Sequence, residues 1–470
     1  MNLLRKDSLI KFDRQLPIYN FFFPGQGRER SDHSIKAIWQ EANASSRYRA
    51  LYFHVPFCDT ICNFCPFTRG KYSDRAVIDA YVENLLREIQ LKSEAVDLKA
   101  VPVTSIFFGG GTPSLLDPDQ ILRIGAAIKD NFDLAQLTEF SFEIEVKSLT
   151  RARAEAMRAI GVTHPRFGLQ TFDPKWRDTF DLTATLAQVR EATALLIEIF
   201  PFQTFDILYG MSGQDEEELV RDLSEAAAMG TTNIDIYPID NIMTQVGLHK
   251  KLAEASMAPT SAMRKFGMNV LVDQFMRHSG FMPHNGHGYV RTAPTDEIVS
   301  AAYSFVYHEH VYGYHDRDVM GFGVNAISST LGHVITNTAS KKVYAERLAE
   351  GAFPCTISQH DTALDFSRPL ILRLPYHGRV DKRLVHWDKV HPEVLVKLEQ
   401  LKEQRMVVDD GHDLALTKLG WYWYVNTMFH LMPRDEQLAT NGVIVQNLKN
   451  PGRSFTKREL LYPVIPLATA

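Results

Sequence analysis

Three thiols within eight residues are the most reactive constellation in the sequence. They form the array Cys58-Asp-Thr-Ile-Cys62-Asn-Phe-Cys65, and the fourth cysteine of the chain, Cys355, lies far along. A disulfide framework would not crowd three of four cysteines into one short stretch of a chain this long. A structural zinc ion takes four nitrogen or sulfur ligands, and the array supplies three. A four-iron cluster held by three cysteines leaves one iron without a protein ligand, open to a substrate or cofactor. The array directly follows a short strand-like run, Ala50 to Val55. In parallel βα sheets and barrels, ligands bind at the loops that leave the carboxyl ends of strands.

Other residue clusters carry weaker signals. His308 and His310, in Tyr307-His308-Glu-His310-Val-Tyr312-Gly-Tyr314-His315, would share one face of a strand. They read as part of the wall of a substrate pocket in preference to a second metal site, and His284 and His287 have the same two readings. Cys355 reads as a small buried hydrophobe. The run Trp421-Tyr-Trp-Tyr424 reads as a packing face, since no basic groove accompanies it as a nucleic-acid platform would require.

The elements that must position the cysteines follow from periodicity. Strand-like runs at Ala50–Val55, Thr104–Phe108, Glu139–Val146, Arg166–Gln170, Gln203–Leu208 and Asn233–Tyr237 alternate with amphipathic helical stretches. The helices are expected at Arg75–Ser93, Pro118–Asn131, Arg151–Ile160, Thr185–Ile199 and Glu216–Met229. Six such units predict an α/β fold, a partial (βα)6 barrel short of eightfold closure. The chain has 470 residues, and at roughly 150 residues per domain it has room for about three. The expected division is an N-terminal extension or lid at 1–48, the barrel with a substrate-pocket extension at 49–357, and a small helical or winged-helix-like domain at 358–470. The lid would centre on the aromatic segment Pro17 to Pro24. Charged residues number 51 basic and 56 acidic, a net charge of −5, so no basic excess points to nucleic acid or an acidic membrane. No apolar stretch of membrane-spanning length or signal-peptide core is present, and a cytoplasmic location is expected.

With the cysteines, further segments carry a resemblance. Tyr52-Phe-His54-Val-Pro56-Phe57-Cys58, Phe107-Phe-Gly-Gly-Gly-Thr-Pro113, Ile144-Glu145-Val146, Arg166-Phe-Gly-Leu-Gln-Thr-Phe172, Asp206-Ile-Leu-Tyr-Gly210 and Gly321-Phe-Gly-Val-Asn-Ala-Ile-Ser328 occur in order. In these the chain resembles the radical S-adenosylmethionine (radical SAM) superfamily, in its oxygen-independent coproporphyrinogen III oxidase branch. That branch includes the class C methyltransferases and cyclopropanases. The resemblance implies a [4Fe–4S] cluster on Cys58, Cys62 and Cys65, with S-adenosylmethionine as cofactor, two molecules in all. It implies cofactor contacts at Tyr52, Phe64, Gly110, Gly111, Thr112, Glu145, Gln170, Asp206, Asp240 and Ile327. Tyr52, Glu145, Gln170 and Asp206 take the catalytic roles.

Two positions depart from the oxidases, Leu182 in place of an arginine and Phe67 in place of a fourth cysteine. The reading that Leu182 favours is methyl or methylene transfer from a second S-adenosylmethionine to an sp² carbon of a natural product. The alternatives are oxidative decarboxylation of coproporphyrinogen III and a non-catalytic haem-handling role. Expected partners are a small-molecule substrate, a one-electron reductant such as flavodoxin or ferredoxin, and a partner methyltransferase, with no nucleic acid and no membrane.

Overall fold

The computed structural model describes residues 23–25, 27–29, 34–65, 70–239, 246–257, 260–302 and 305–440. Strands β1 (Arg28–Glu29), β2 (Tyr48–Val55), β3 (Val103–Gly110), β4 (Glu139–Ile144), β5 (His164–Gln170), β6 (Thr204–Tyr209), β7 (Asn233–Pro238), β8 (Phe281–Pro283), β9 (Gly288–Arg291), β10 (Arg317–Phe322), β11 (Ile327–Thr330), β12 (His333–Asn337) and β13 (Cys355–Gln359) share one sheet. Its order is β1-β13-β12-β11-β10-β2-β3-β4-β5-β6-β7-β9-β8. The run from β10 through β7 is parallel, and antiparallel strands extend it on both sides.

All six expected strands are present as β2 to β7, and helices Arg75–Ala95, Pro118–Asn131, Arg151–Ala159, Leu186–Ile199 and Glu216–Ala228 return the chain between them. Three of these helices start on reciprocal capping boxes, Asp117 with Gln120, Thr185 with Gln188 and Asp215 with Glu218. Each box satisfies amide donors that the first helical turn would otherwise leave open. Alternate residues of the strands face the helices and form the main core, where Phe53, Phe108, Phe142 and Phe322 stack in sequence. Residues of the opposite parity face inward. Because both faces are covered, the strands read as nearly continuous apolar runs.

The structure corrects several expectations. The strand expected to reach Val146 ends at Ile144, because the Glu145 carboxylate accepts the Ser148 amide and starts a short 3-10 turn. The strand expected from Gln203 begins at Thr204. His308 and His310 lie on a helix, Val306–Val311, and not on a strand face. The aromatic run Trp421–Tyr424, expected as a packing face, spans a break at Trp423 between helices Lys418–Tyr422 and Tyr424–Leu431, and Trp421, Trp423 and Tyr424 are buried in the second core. A seventh parallel strand, β10, pairs with β2, although 261 residues separate the last residue of β2 from the first of β10.

The C-terminal region builds a second core on strands β14 (Arg379–Asp381), β15 (Val407–Asp409) and β16 (Asp413–Leu416), in the order β14-β16-β15, with helix Pro392–Glu403 and the two helices after Thr417. Most of the segment expected as a lid lies outside the described residues. Its end does not: Phe23 packs on this second core and the Gly25 amide donates to Glu436 Oε2 at 2.6 Å. No helix among the described residues is long and apolar enough to cross a membrane.

A buried polar spine on helix Arg75–Ala95 ties the helix to β10. Glu88 accepts from the Gly323 amide at 2.7 Å, Tyr344 Oη at 2.6 Å and Asn337 Nδ2 at 2.8 Å, and pairs with Lys92 at 2.9 Å. Lys92 donates onward to the Gly321 carbonyl at 2.6 Å. Removing one partner of a buried pair strands the other charge, at about 3–5 kcal/mol. Glu88→Ala should therefore lower the urea midpoint of unfolding strongly. Glu83→Ala, which breaks the solvent-exposed pair with Arg123, should lower it far less, because water and salt screen such a pair. Equal losses in the two variants would contradict this account.

Candidate active site

The cysteine array follows β2 and is clasped from three directions. The Cys58 amide donates to the Gly70 carbonyl at 3.0 Å. Lys147, just after β4, reaches Asp59 Oδ2 at 3.5 Å and Thr60 Oγ1 at 3.2 Å. Asn63 Nδ2 donates to the Thr179 carbonyl at 2.7 Å and Asp181 Oδ2 at 2.9 Å, in the connection after β5. Cys58 is buried, Cys62 and Cys65 are partly exposed, and all four cysteines are thiols. Three thiolates on one loop form a donor set that fits a cluster with one open iron. Phe67 lies outside the described residues, so the structure does not place it.

The glycine run ends β3 against this loop. Gly110 has a φ of +104°, and a Cβ there would fall 2.5 Å from the His54 ring; at Gly111 it would fall 2.5 Å from the Phe57 carbonyl oxygen. Only glycine allows that approach, and the Gly111 amide then donates to the Val55 carbonyl at 2.8 Å. Thr112 is buried at the start of a short 3-10 turn, Pro113–Leu115.

The other expected contacts are distributed around the same strand ends. Glu145 is half-buried, one residue past β4, and desolvation raises its carboxyl above the usual range. Gln170 ends β5 in the left-handed region at φ 73°, an uncommon conformation for a non-glycine residue. Phe64 packs on Phe180 with ring centroids 5.1 Å apart. Ile327 opens β11 and is 37% exposed. Asp240 lies outside the described residues.

Inside the strands is a hollow that sequence periodicity did not reveal. Tyr52, Glu143, Asp206, Tyr237, Tyr307 and His308 keep accessible surface although protein surrounds each on all sides. Tyr52 and Phe107 stack at 6.0 Å, and Phe107 and Tyr307 at 5.1 Å, with rings within 30° of parallel. Tyr52 Oη meets His54 Nδ1 at 2.9 Å. His310, on the same helix as His308, points elsewhere, to Thr104 Oγ1 at 2.7 Å and the Asp318 carbonyl at 2.9 Å. His284 and His287 are buried in the β8–β9 turn, where His287 lies 4.0 Å from the Tyr237 ring and 3.0 Å from Tyr376 Oη. Cys355 is half-buried at the start of β13, and burial pushes its thiol up to about 11.

Below the hollow, strand register brings four carboxyl groups to one arginine. Glu143 pairs in register with Arg166, Gly168 with Asp206 and Asp206 with Asp235. Arg166 is buried, forms an ion pair with Asp235 and lies 4.4 Å over the Phe305 ring. Desolvation pushes Glu139 and Glu143 up to about 7 against the attraction of Arg166. Asp206 and Asp235 are both raised by burial. Of the two, Asp235 is the one that pairs with the guanidinium. Glu139, Glu143, Arg166 and Asp235 were not among the expected site residues. The signal available was their inward parity, at every second position along β4, β5 and β7.

Leu182, like Phe64, Tyr237 and Met257, packs against a small apolar cluster that includes Trp176, Phe180 and Leu208. Arg177 is close in sequence, but its guanidinium is committed to the carbonyls of Leu169, Thr171 and Ala184.

The profile of the radical SAM superfamily matches residues 52–226. The chain is 25% identical over 401 residues to an anaerobilin synthase of Escherichia coli O157:H7, covering 84% of this chain and 86% of that protein. It is 26% identical over 361 residues to an oxygen-independent coproporphyrinogen III oxidase of Cereibacter sphaeroides, covering 75% and 78%. The solved coproporphyrinogen III oxidase of Escherichia coli shares the fold at a TM-score of 0.72 and 22% identity, over 86% of this chain and 94% of that one. These relatives favour the expectation of coproporphyrinogen-type chemistry over that of methyl or methylene transfer. The cofactors of the family are a [4Fe–4S] cluster and S-adenosylmethionine. Over residues 52–226 the chain is thus similar to the radical SAM superfamily, and over most of its length it resembles the branch of the oxygen-independent coproporphyrinogen III oxidases.

Proposed function

We propose that this chain is a radical SAM enzyme acting on a tetrapyrrole, with Cys58, Cys62 and Cys65 as the cluster ligands. When bound, the cluster supplies the electron that splits S-adenosylmethionine to the 5′-deoxyadenosyl radical. The chain's residues bind, orient and enclose. Gly110 and Gly111 bring backbone close to the amino-acid end of the cofactor, and the half-buried Glu145 accepts from its ammonium. Gln170, Asp206, Phe64 and Thr112 receive a second S-adenosylmethionine, with Leu182 offering apolar contact where the oxidases offer an arginine. A small one-electron reductant, such as a flavodoxin or ferredoxin, is the partner.

The observation that carries the tetrapyrrole reading is the inward wall of near-parallel rings, Tyr52, Phe107 and Tyr307, lining the hollow. Offset stacking on such a wall suits a flat macrocycle. The relatives named coproporphyrinogen III oxidase and anaerobilin synthase support it.

The test is an oxygen-free incubation of reconstituted protein with dithionite, S-adenosylmethionine and coproporphyrinogen III. Consumption of the tetrapyrrole in step with 5′-deoxyadenosine, without S-adenosylhomocysteine, is the expected result. S-adenosylhomocysteine formed while the tetrapyrrole stays intact would overturn it and restore the methyl-transfer reading.

A further inference from the structure

A second constellation, at the opposite end of β2 and β10 from the cysteines, gathers Arg317, Arg368 and Arg373, and among the described residues only Arg373 has an ion-paired carboxylate. Arg368 is 3% exposed, and its only hydrogen bond among the described residues goes from Nη2 to the Tyr314 carbonyl, at 3.2 Å. Its Nε has no partner there. The carboxylates that act on it, Asp365 and Asp316, do so from beyond ion-pair distance, and Asp365 is already paired with His360 at 2.9 Å. Arg317 is half-buried and its Nε likewise lacks a partner among the described residues; its guanidinium lies 5.1 Å over the Tyr48 ring and 6.0 Å over the Tyr314 ring. Arg373, against the same Tyr314 ring at 5.2 Å, forms an ion pair with Glu309, which Arg317 also attracts from beyond ion-pair distance.

The local chain geometry builds this arrangement. Residues Pro369–Arg373 form a π-helical turn that starts just after Arg368 and ends on Arg373, so both arginines meet Tyr314. Such turns are rare and recur at functional positions. Toward solvent, further basic side chains surround Phe366. Lys389 Nζ lies 4.8 Å over its ring, and the neutral His315 ring lies tilted 4.4 Å from Phe366 and edge-on 4.4 Å from the exposed His386. A buried guanidinium without a carboxylate is expensive to keep, and a fold that keeps one has another source of negative charge.

We propose that Arg368 and Arg317, with Lys389 and His386 at the mouth, bind a small oxoanion, the phosphate or carboxylate group of a ligand. Guanidinium forks suit either group. The site is distinct from the hollow, because Arg317 pairs with Tyr48 at the start of β2 and the cysteine loop follows Val55 at its end. Seven residues of strand set the two about 20 Å apart.

The test is thermal unfolding of the full-length protein titrated with inorganic phosphate or, separately, acetate, against a chloride series of equal ionic strength. At least one of the two anions should raise the unfolding temperature along a saturable curve that chloride does not produce, and the one that saturates identifies the group. Arg317→Gln should weaken that apparent dissociation constant about ten- to hundredfold, the loss of one charge-assisted contact. Lys389→Gln, at an exposed position, should weaken it by about fivefold or less. Arg368→Gln removes a buried charge and should raise basal stability while abolishing the anion effect, which distinguishes a lost site from a damaged fold. No saturable effect of either anion, or an unchanged dissociation constant in Arg317→Gln, would overturn the proposal.

Discussion

Cys62→Ala protein, prepared without air and supplied with iron and sulfide, should lack the charge-transfer absorption of a cluster and form no 5′-deoxyadenosine above background. The same should hold for Cys58→Ala and Cys65→Ala, because three thiolates are the minimum that hold such a cluster and leave one iron open. Cys355→Ala is the control with a structural reason. Cys355 opens β13, which is separated from β2 by β12, β11 and β10. Four interstrand steps place it on the order of 20 Å from the array. A cluster that persists in Cys62→Ala, or vanishes in Cys355→Ala, would overturn the ligand assignment.

Arg166→Met should be the most damaging single change inside the barrel, and its damage should depend on pH. Arg166 is the cation that offsets Glu139, Glu143 and Asp235. Stranding buried carboxylates costs about 3–5 kcal/mol when they are ionised. In the wild type, Glu139 and Glu143 hold their protons up to about 7, whereas an unfolded chain releases them near the ordinary glutamate value. The folded state therefore binds more protons across that window. The resulting stability is fully present below the unfolded value and is lost as pH rises through about 7. Without the guanidinium these carboxyls rise further, and the loss of stability extends to more alkaline pH. Urea midpoints measured on the acidic and alkaline sides of neutrality should show a larger deficit for Arg166→Met on the alkaline side. Equal deficits on both sides would mean that the arginine acts through packing on Phe305 and not through charge.

How far each of these sites could be read from sequence follows from the range of the interactions that make it. The cysteine array, the glycine turn and the six βα units are local. Spacing within a few residues encodes them, and periodicity places each strand within a residue or two. Glu145 was expected at a strand end and is one residue beyond it, because its own carboxylate caps the next turn. β10 escaped notice because Arg317-Asp-Val-Met-Gly-Phe322 has a weak strand signal of its own. Its partner β2 stands far earlier in the chain, and the pairing between them stabilises it as a strand.

The charge cluster under the hollow depends on register. Alternation tells which residues of β4, β5, β6 and β7 share a face. It does not tell that Glu143 meets Arg166 or that Asp206 meets Asp235, since a slip of one residue would turn each to the other side. The same holds for Arg317, which opens β10, and Arg368, far later in the chain, which meet at Tyr314. The sequence by itself thus determined the chemistry that the cysteine loop can support and the units that carry it. Which acids gather on one arginine, which rings line the hollow and which arginines lack an ion-paired carboxylate were decided by packing between distant segments, because burial and register exist only once the sheet has closed around them.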